Sequence, residues 1–418
     1  AAEAALRTIR ADLGQVFAPG VNLVEGDPGK ALRLLSDAYT AVAAAETANV
    51  PRTTLDPLRG QVVGGLDRLF RVVPVGSATI INFAGSKTPL DIRKLVLGPD
   101  GMPYILDKAS ASVYRIDLRT KKATAVFRQK TRAAGAVEGV PRHITTGVRD
   151  LLIVDDKNVV WRWRAADAKG AGTTTKVRVA EAAGWGDDVA AIGTFVRNAS
   201  AGLYNLYVVD PSVQNILAYA PASDGSGFPV KAQGRLAVAR DVSKVTDLLI
   251  DGDIFVADGG SVVRFVGGKS EGWSVQPPGY TGDTPNGDTL LRPAPTYSLI
   301  ASGTDKRTGA LYGWDRVSGR VVAIDKAKGT FIEQYRLAGG SPDWKDVRGM
   351  YVIVGSGPDA PSTLVWATKN AVMSAVLERV PDDAVVDPSG SPRPSGAAGS
   401  PNPSAKASAK PPKASPKP

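Results

Sequence analysis

The sequence predicts an all-β protein, a six-bladed β-propeller, with a helical hairpin or three-helix segment before it and a disordered tail after it. Three observations carry this. A strand–turn–strand phrase recurs six times, its period is about 50 residues, and an unpaired strand precedes the first copy while the last copy lacks one. A period of that length with several short strands per unit is the mark of propeller blades.

The clearest copy is Tyr104-Ile-Leu-Asp107 followed by Val113-Tyr-Arg-Ile116. Alternation in the second run marks a half-buried strand, and Asp at the junction is a turn former, so the phrase reads as a β-hairpin. It returns as Leu151-Leu-Ile-Val-Asp155 with Val159-Val-Trp-Arg-Trp163, as Leu206-Tyr-Val-Val-Asp210 with Ile216-Leu-Ala-Tyr219, and as Ile254-Phe-Val-Ala-Asp258 with Val262-Val-Arg-Phe265. Two looser copies follow, Leu311-Tyr-Gly-Trp-Asp315 with Val321-Val-Ala-Ile324, and Leu364-Val-Trp-Ala-Thr368 with Ala371-Val-Met-Ser-Ala-Val376. Successive junction residues lie 48, 55, 48, 57 and 53 apart.

Each phrase sits in a unit of four strands. Around the fourth copy these read as 245–251, 253–258, 261–266 and 272–276. The sixth unit runs into Pro381-Asp-Asp with no fourth strand, and Val75 to Phe83 stands alone ahead of the first. Strand 75–83 therefore closes the last blade and latches the ring, which removes exposed edges. A seventh, degenerate blade would have to lie near Tyr280 to Arg292.

Residues 1–72 read as a helical spacer. Leu6, Ile9 and Leu13 recur on one face of a first helix; Asp27-Pro28 caps a second, striped by Leu32, Leu35, Tyr39 and Val42; a third starts near Thr54 or Asp56-Pro57. The propeller spans 73–380. Residues 381–418, rich in Pro, Ser, Ala, Gly and Lys, bury too little to offset their ordering entropy and are expected to be disordered.

Composition narrows the function. Zero cysteines exclude disulfides, thiolate metal sites and cysteine catalysis. Half of the net charge of +10 comes from Arg393, Lys406, Lys410, Lys413 and Lys417 in the tail. No basic stripe interleaved with aromatics remains, so nucleic acid is not an expected partner. No run of 18 or more apolar residues is present.

The chemistry-bearing residues are sparse. His143 is the only histidine. Nucleophile elbows and phosphate-cradling loops have no counterpart. Asp107, Asp155, Asp210, Asp258 and Asp315 occupy equivalent positions at one end of the ring and are candidate ligands for a cation or an amine. Each is also suited to accept N–H bonds in its own turn, which explains the repetition more simply, so no metal and no cofactor is assigned. Loops entering the first strands gather at the same face. They carry Trp185-Gly-Asp-Asp188 and Trp344-Lys-Asp346-Val-Arg348, with Arg142, His143, Arg240 and Arg292. An aromatic wall beside carboxylates and guanidinium groups suits a protein, a peptide or a cell-wall glycan.

Asp27-Pro-Gly-Lys-Ala-Leu-Arg-Leu-Leu-Ser-Asp-Ala and the run from Leu58-Arg-Gly-Gln-Val-Val to Val73, leading into Asp-ended blades, resemble the region after the membrane segment of certain bacterial proteins of Chloroflexota type. The cytoplasmic end of those proteins is similar to metal-dependent serine/threonine phosphatases of the PPM type. Over residues 27–380 the resemblance implies a helical spacer and an extracytoplasmic propeller, with a phosphatase and a membrane anchor upstream. The phosphatase motifs have no counterpart in this sequence, so no catalytic residue is carried over. Propellers of the NHL and TolB-like groups resemble the repeats almost as well. The expectation is a non-catalytic binding or sensor module of the cell envelope; the alternative is a lactonase- or strictosidine-synthase-like hydrolase or lyase using a divalent metal.

Overall fold

The structure, a computed structural model, describes the chain apart from residues 86–88, 131, 134–135, 167–170, 272–294, 304–308, 339–345, 356–359 and 378–418. Six blades, each of four antiparallel strands, follow one another around a ring, and the sheets of blades 2 and 5 gain a fifth, parallel outer strand from Gly227–Phe228 and Val72–Val75. Blade 1 comprises Ile92–Leu97, Pro103–Asp107, Ser112–Asp117 and Lys122–Arg128; blade 2, Pro141–Thr146, Leu151–Asp155, Val160–Ala165 and Gly172–Val179; blade 3, Ala191–Asn198, Leu203–Asp210, Asn215–Tyr219 and Gln233–Gly234. Blade 4 comprises Val245–Ile250, Ile254–Asp258, Ser261–Val266 and Lys269–Ser270; blade 5, Tyr297–Ala301, Ala310–Asp315, Arg320–Asp325 and Phe331–Leu337; blade 6, Gly349–Ile353, Ser362–Ala367, Ala371–Leu377 and Ser77–Asn82. The fourth strand of blade 4 falls at Lys269–Ser270, ahead of the expected 272–276, which lie outside the described residues.

The core explains the sequence pattern. Six apolar clusters lie between successive blades, so each blade is buried on both faces. Second strands are therefore continuous apolar runs rather than alternating ones. Phe255, Val256 and Ala257, for example, are at most 1% exposed, with Phe255 and Ala257 packed towards blade 5 and Val256 towards blade 3. One cluster joins blade 6 to blade 1, through Tyr351, Val365, Leu95 and Ile105, and closes the ring. Gly349 makes this seam possible, since a Cβ there would stand 2.4 Å from the backbone nitrogen of Leu95.

The third strands depart from expectation. Alternation alone would turn Arg115 to solvent, yet it is 3% exposed and lies between buried Val113 and Ile116. A propeller blade has no wet face at that depth, so the polar residue must find a partner inside.

The helical unit contains α1 (Ala2–Val16), α2 (Leu23–Gly26), α3 (Pro28–Thr47) and α4 (Arg52–Leu69). Asp27 caps α3 by accepting from the Lys30 N–H at 3.0 Å. α4 begins at Arg52, earlier than the expected Thr54 or Asp56, and carries Pro57 within it. The buried face of α3 is Ala31, Leu35, Ala38, Val42 and Ala45, and Tyr39 is 54% exposed. The stripe is thus one of alanines, which lets α3 sit close against both α1 and α4. Among the described residues no helix is long and apolar enough to cross a membrane.

The connection to the propeller is double. Val72–Val75 adds in parallel to the outer strand of blade 5, pairing Val72 with Gln334 and Val75 with Leu337. After Gly76, Ser77–Asn82 pairs antiparallel with Ala371–Leu377 of blade 6. The segment expected as one strand, 75–83, is therefore divided between two neighbouring blades.

Candidate functional site

Four of the five junction acids turn inward on their own turns. Asp107 accepts from the Asp91 N–H (2.6 Å) and from the Ser110 N–H (2.8 Å) and hydroxyl (2.5 Å). Asp155 accepts from the N–H groups of Gly139, Lys157 and Val159 and from the Trp161 indole at 2.8 Å. Asp210 and Asp315 behave alike, each binding its turn and the loop that enters its own blade. Asp258 instead receives Arg240 at 2.7 Å. Candidate ligands for a cation are thus held apart, and among the described residues no three His, Cys, Asp or Glu side chains are grouped to hold a metal. The donor set does not fit the divalent ion of the hydrolase or lyase alternative.

The expected ligand wall is only partly available. Trp185 is 5% exposed, donates its indole N–H to the Tyr219 hydroxyl at 2.6 Å and belongs to the core between blades 2 and 3, so it is a packing residue. Trp344 and Arg292 lie outside the described residues. Arg142 and Asp188 are exposed at the junction-acid face, and Arg142 donates to the Asp187 carbonyl at 2.7 Å. Asp346 pairs with Arg348 at 2.6 Å, and Arg240 lies over the Phe265 ring while it binds Asp258. These side chains are spread around the rim rather than gathered into one pocket.

A second series of acids escaped the sequence reading. Arg115, Arg162 and Arg264 occupy the same register in blades 1, 2 and 4, opposite Tyr104, Leu152 and Phe255. Their partners sit at the opposite end of the blades. Arg115 meets Asp100 at 2.6 Å, Arg264 meets Asp253 at 2.6 Å, and Asp150 takes Arg162 at 3.7 Å, Arg164 at 2.7 Å and the Tyr204 hydroxyl at 2.9 Å. The signal was present in the recurring Arg of Tyr-Arg115-Ile, Trp-Arg162-Trp and Val-Arg264-Phe.

The central channel holds the more unusual arrangement. Lys94, His143, Ala191, Asp247 and Leu299 share one tier, because each pairs with the residue just before a junction acid. Blades 1 and 4 face each other across a six-membered ring. Lys94 reaches over that gap, and its Nζ lies 2.5 Å from Asp247 Oδ1. The other carboxylate oxygen accepts from the Ile300 N–H at 3.0 Å. An ion pair thus spans the channel as a bar.

From this bar a cavity of about 640 Å³ runs along the inner strands towards Gly147, Val196 and Gly303 at the end away from the junction acids. Its walls are mostly apolar, with Leu97, Ile192, Leu248, Ile250 and Val352 among them. Thr146 and Thr194 stitch the inner strands by donating to the carbonyls of Leu97 and Thr146. Tyr351 also lines the space, and its buried hydroxyl has no hydrogen-bond partner among the described residues.

His143 stands in the tier of the bar. Burial pushes its imidazole down to about 4, the Lys94 and Arg142 cations push the same way, and a hydrogen bond with the Val189 backbone opposes them. The ring is neutral at physiological pH. It is also a weak base there.

No protein-family profile matches the chain, and no curated protein matches it in sequence. Solved structures do share its architecture. A catalytically inactive virginiamycin B lyase from Staphylococcus aureus with quinupristin is 10% identical over 73% of this chain and 100% of its own, with a TM-score of 0.42. A protein taken to be a gluconolactonase is 11% identical over 74% and 97%, with a TM-score of 0.41, and the WD40 repeats of RRP9 are 14% identical over 74% and 100%, with a TM-score of 0.45. At these identities the likeness extends to the fold alone. The expectation that this chain is not an enzyme does not stand, since a lyase and a protein taken to be a gluconolactonase are among these structures; their activities are said of those proteins and assign none to this chain. Nothing in these likenesses bears on the phosphatase resemblance.

Proposed function

We propose that the propeller binds a small molecule, or the end of a peptide or glycan chain, in the central cavity, with Lys94 and Asp247 as the groups that read its polar end. The observation that carries this is the bar itself. Blade packing already holds the ring together, and an ion pair taken from water contributes little to stability after its desolvation cost. A charged pair crossing a mostly apolar cavity is better suited to recognition, since ligand sites combine apolar walls with a few fixed polar groups.

The test is a thermal-shift screen of polar metabolites against the intact chain and against Val196→Trp, which obstructs the far mouth at a residue that is 37% exposed. A compound that raises Tm in the parent and not in Val196→Trp is expected. Hits that ignore Val196→Trp, or no hits, overturn the proposal.

A second reading, hydrolysis or elimination in the same channel, is favoured by the neutral His143 imidazole beside Lys94. Its weak basicity ranks this reading second. Turnover of a lactone or ester panel that disappears in His143→Ala would establish it, and turnover unchanged by that substitution would remove His143 from the chemistry.

A further inference from the structure

Resting on the channel reading, we infer that the ligand carries an ammonium and a carboxylate on one carbon atom, as a free α-amino acid with an uncharged side chain does. The two charges of the bar are unequally held. Asp247 is anchored through Oδ2 to the Ile300 N–H and its side chain is 8% exposed. Lys94, 29% exposed, is the looser partner and moves on a flexible four-carbon stem.

A ligand with a carboxylate alone takes Lys94 and leaves the buried Asp247 charge without a counter-ion, held by the Ile300 N–H alone. A ligand with an ammonium alone takes Asp247 and sets a second cation beside Lys94. Removing one member of a buried ion pair is the costly change, because the remaining charge is neither solvated nor paired. A zwitterion replaces both contacts together, its ammonium on Asp247 Oδ1 and its carboxylate on Lys94 Nζ.

The rest of the cavity completes the class. Ile192, Leu248 and Val352 line walls suited to a hydrocarbon side chain.

Isothermal titration calorimetry of the full chain with L-phenylalanine, 3-phenylpropanoate and phenethylamine separates the charges on one scaffold. L-phenylalanine is expected to saturate one site, and the two single-charge analogues to bind at least about tenfold more weakly, because a site built for a polar group rejects the analogue lacking it. Asp247→Asn, which keeps an acceptor for Ile300, and Lys94→Met should each reduce L-phenylalanine binding to the level of the analogues. An analogue that binds as tightly as L-phenylalanine overturns the inference. If that binding is lost in Val196→Trp, the channel reading survives the failure. No binding of L-phenylalanine, L-leucine or L-tryptophan to the intact chain also overturns the inference, and the metabolite screen then decides the channel reading separately.

Discussion

The Gln334 side chain of blade 5 donates to the carbonyl of Phe70, the residue that ends α4, at 2.7 Å. Its own oxygen accepts from Arg320 at 2.6 Å, and Arg320 binds the junction acid Asp315 at 3.0 Å. A buried polar chain therefore runs from the propeller face to the helical unit, reinforced by the Arg336–Asp67 ion pair. Gln334→Leu removes an acceptor of Arg320 and the donor to the Phe70 carbonyl. It should cost about 1–3 kcal/mol and open the segment around Phe70 to proteases, read by denaturation and limited proteolysis.

The Arg115–Asp100 pair makes a sharper case. Arg115→Met strands a carboxylate against the blade core and should cost about 3–5 kcal/mol. Adding Asp100→Asn removes that charge and should restore part of the loss, which a double-mutant cycle in urea measures.

His143 makes a pH prediction. Its folded value of about 4 lies below the ordinary 6.5, so the unfolded chain binds the proton more tightly. The penalty is absent above pH 6.5, grows as pH falls through the interval, and is complete below pH 4. A shift of that size corresponds to at most about 3 kcal/mol. His143→Gln should flatten the pH dependence of stability between these limits, measured as the difference between the two chains in chemical denaturation.

Gly349→Ala tests the seam between blades 6 and 1. The new methyl meets the Leu95 backbone nitrogen at 2.4 Å, an atom that cannot rotate away. Overpacking of this kind should cost about 1–3 kcal/mol, and calorimetry should show it as a lowered Tm.

Much of the fold was legible because burial of a blade on both faces writes a continuous apolar run into every second strand, as in Leu151 to Val154 and Ile254 to Ala257. The junction Asp marked where each run turns. The closing strand was visible for another reason, as a strand-like segment with no hairpin partner in sequence, and Ser77–Asn82 is itself mostly exposed. What failed did so where depth and distance decide. Trp185 and Arg115 sit in loops or alternating runs that locally look wet, and only the neighbouring blade makes them dry. The alanine face of α3 outweighed the larger Tyr39 because close helix approach rewards small side chains. The bar was invisible, since Lys94 and Asp247 stand 153 residues apart and meet only because their blades are opposite each other.

The divided segment at the start of the propeller also fixes the order of assembly. Ser77–Asn82 precedes every strand of blades 1 to 5 except the Val72–Val75 extension of blade 5, and the strand it completes, Ala371–Leu377, follows every other strand of the propeller. Blade 6 therefore cannot be completed until Ala371–Leu377 has been synthesised, and closure into a circle joins a segment from the start of the propeller to the last strand made.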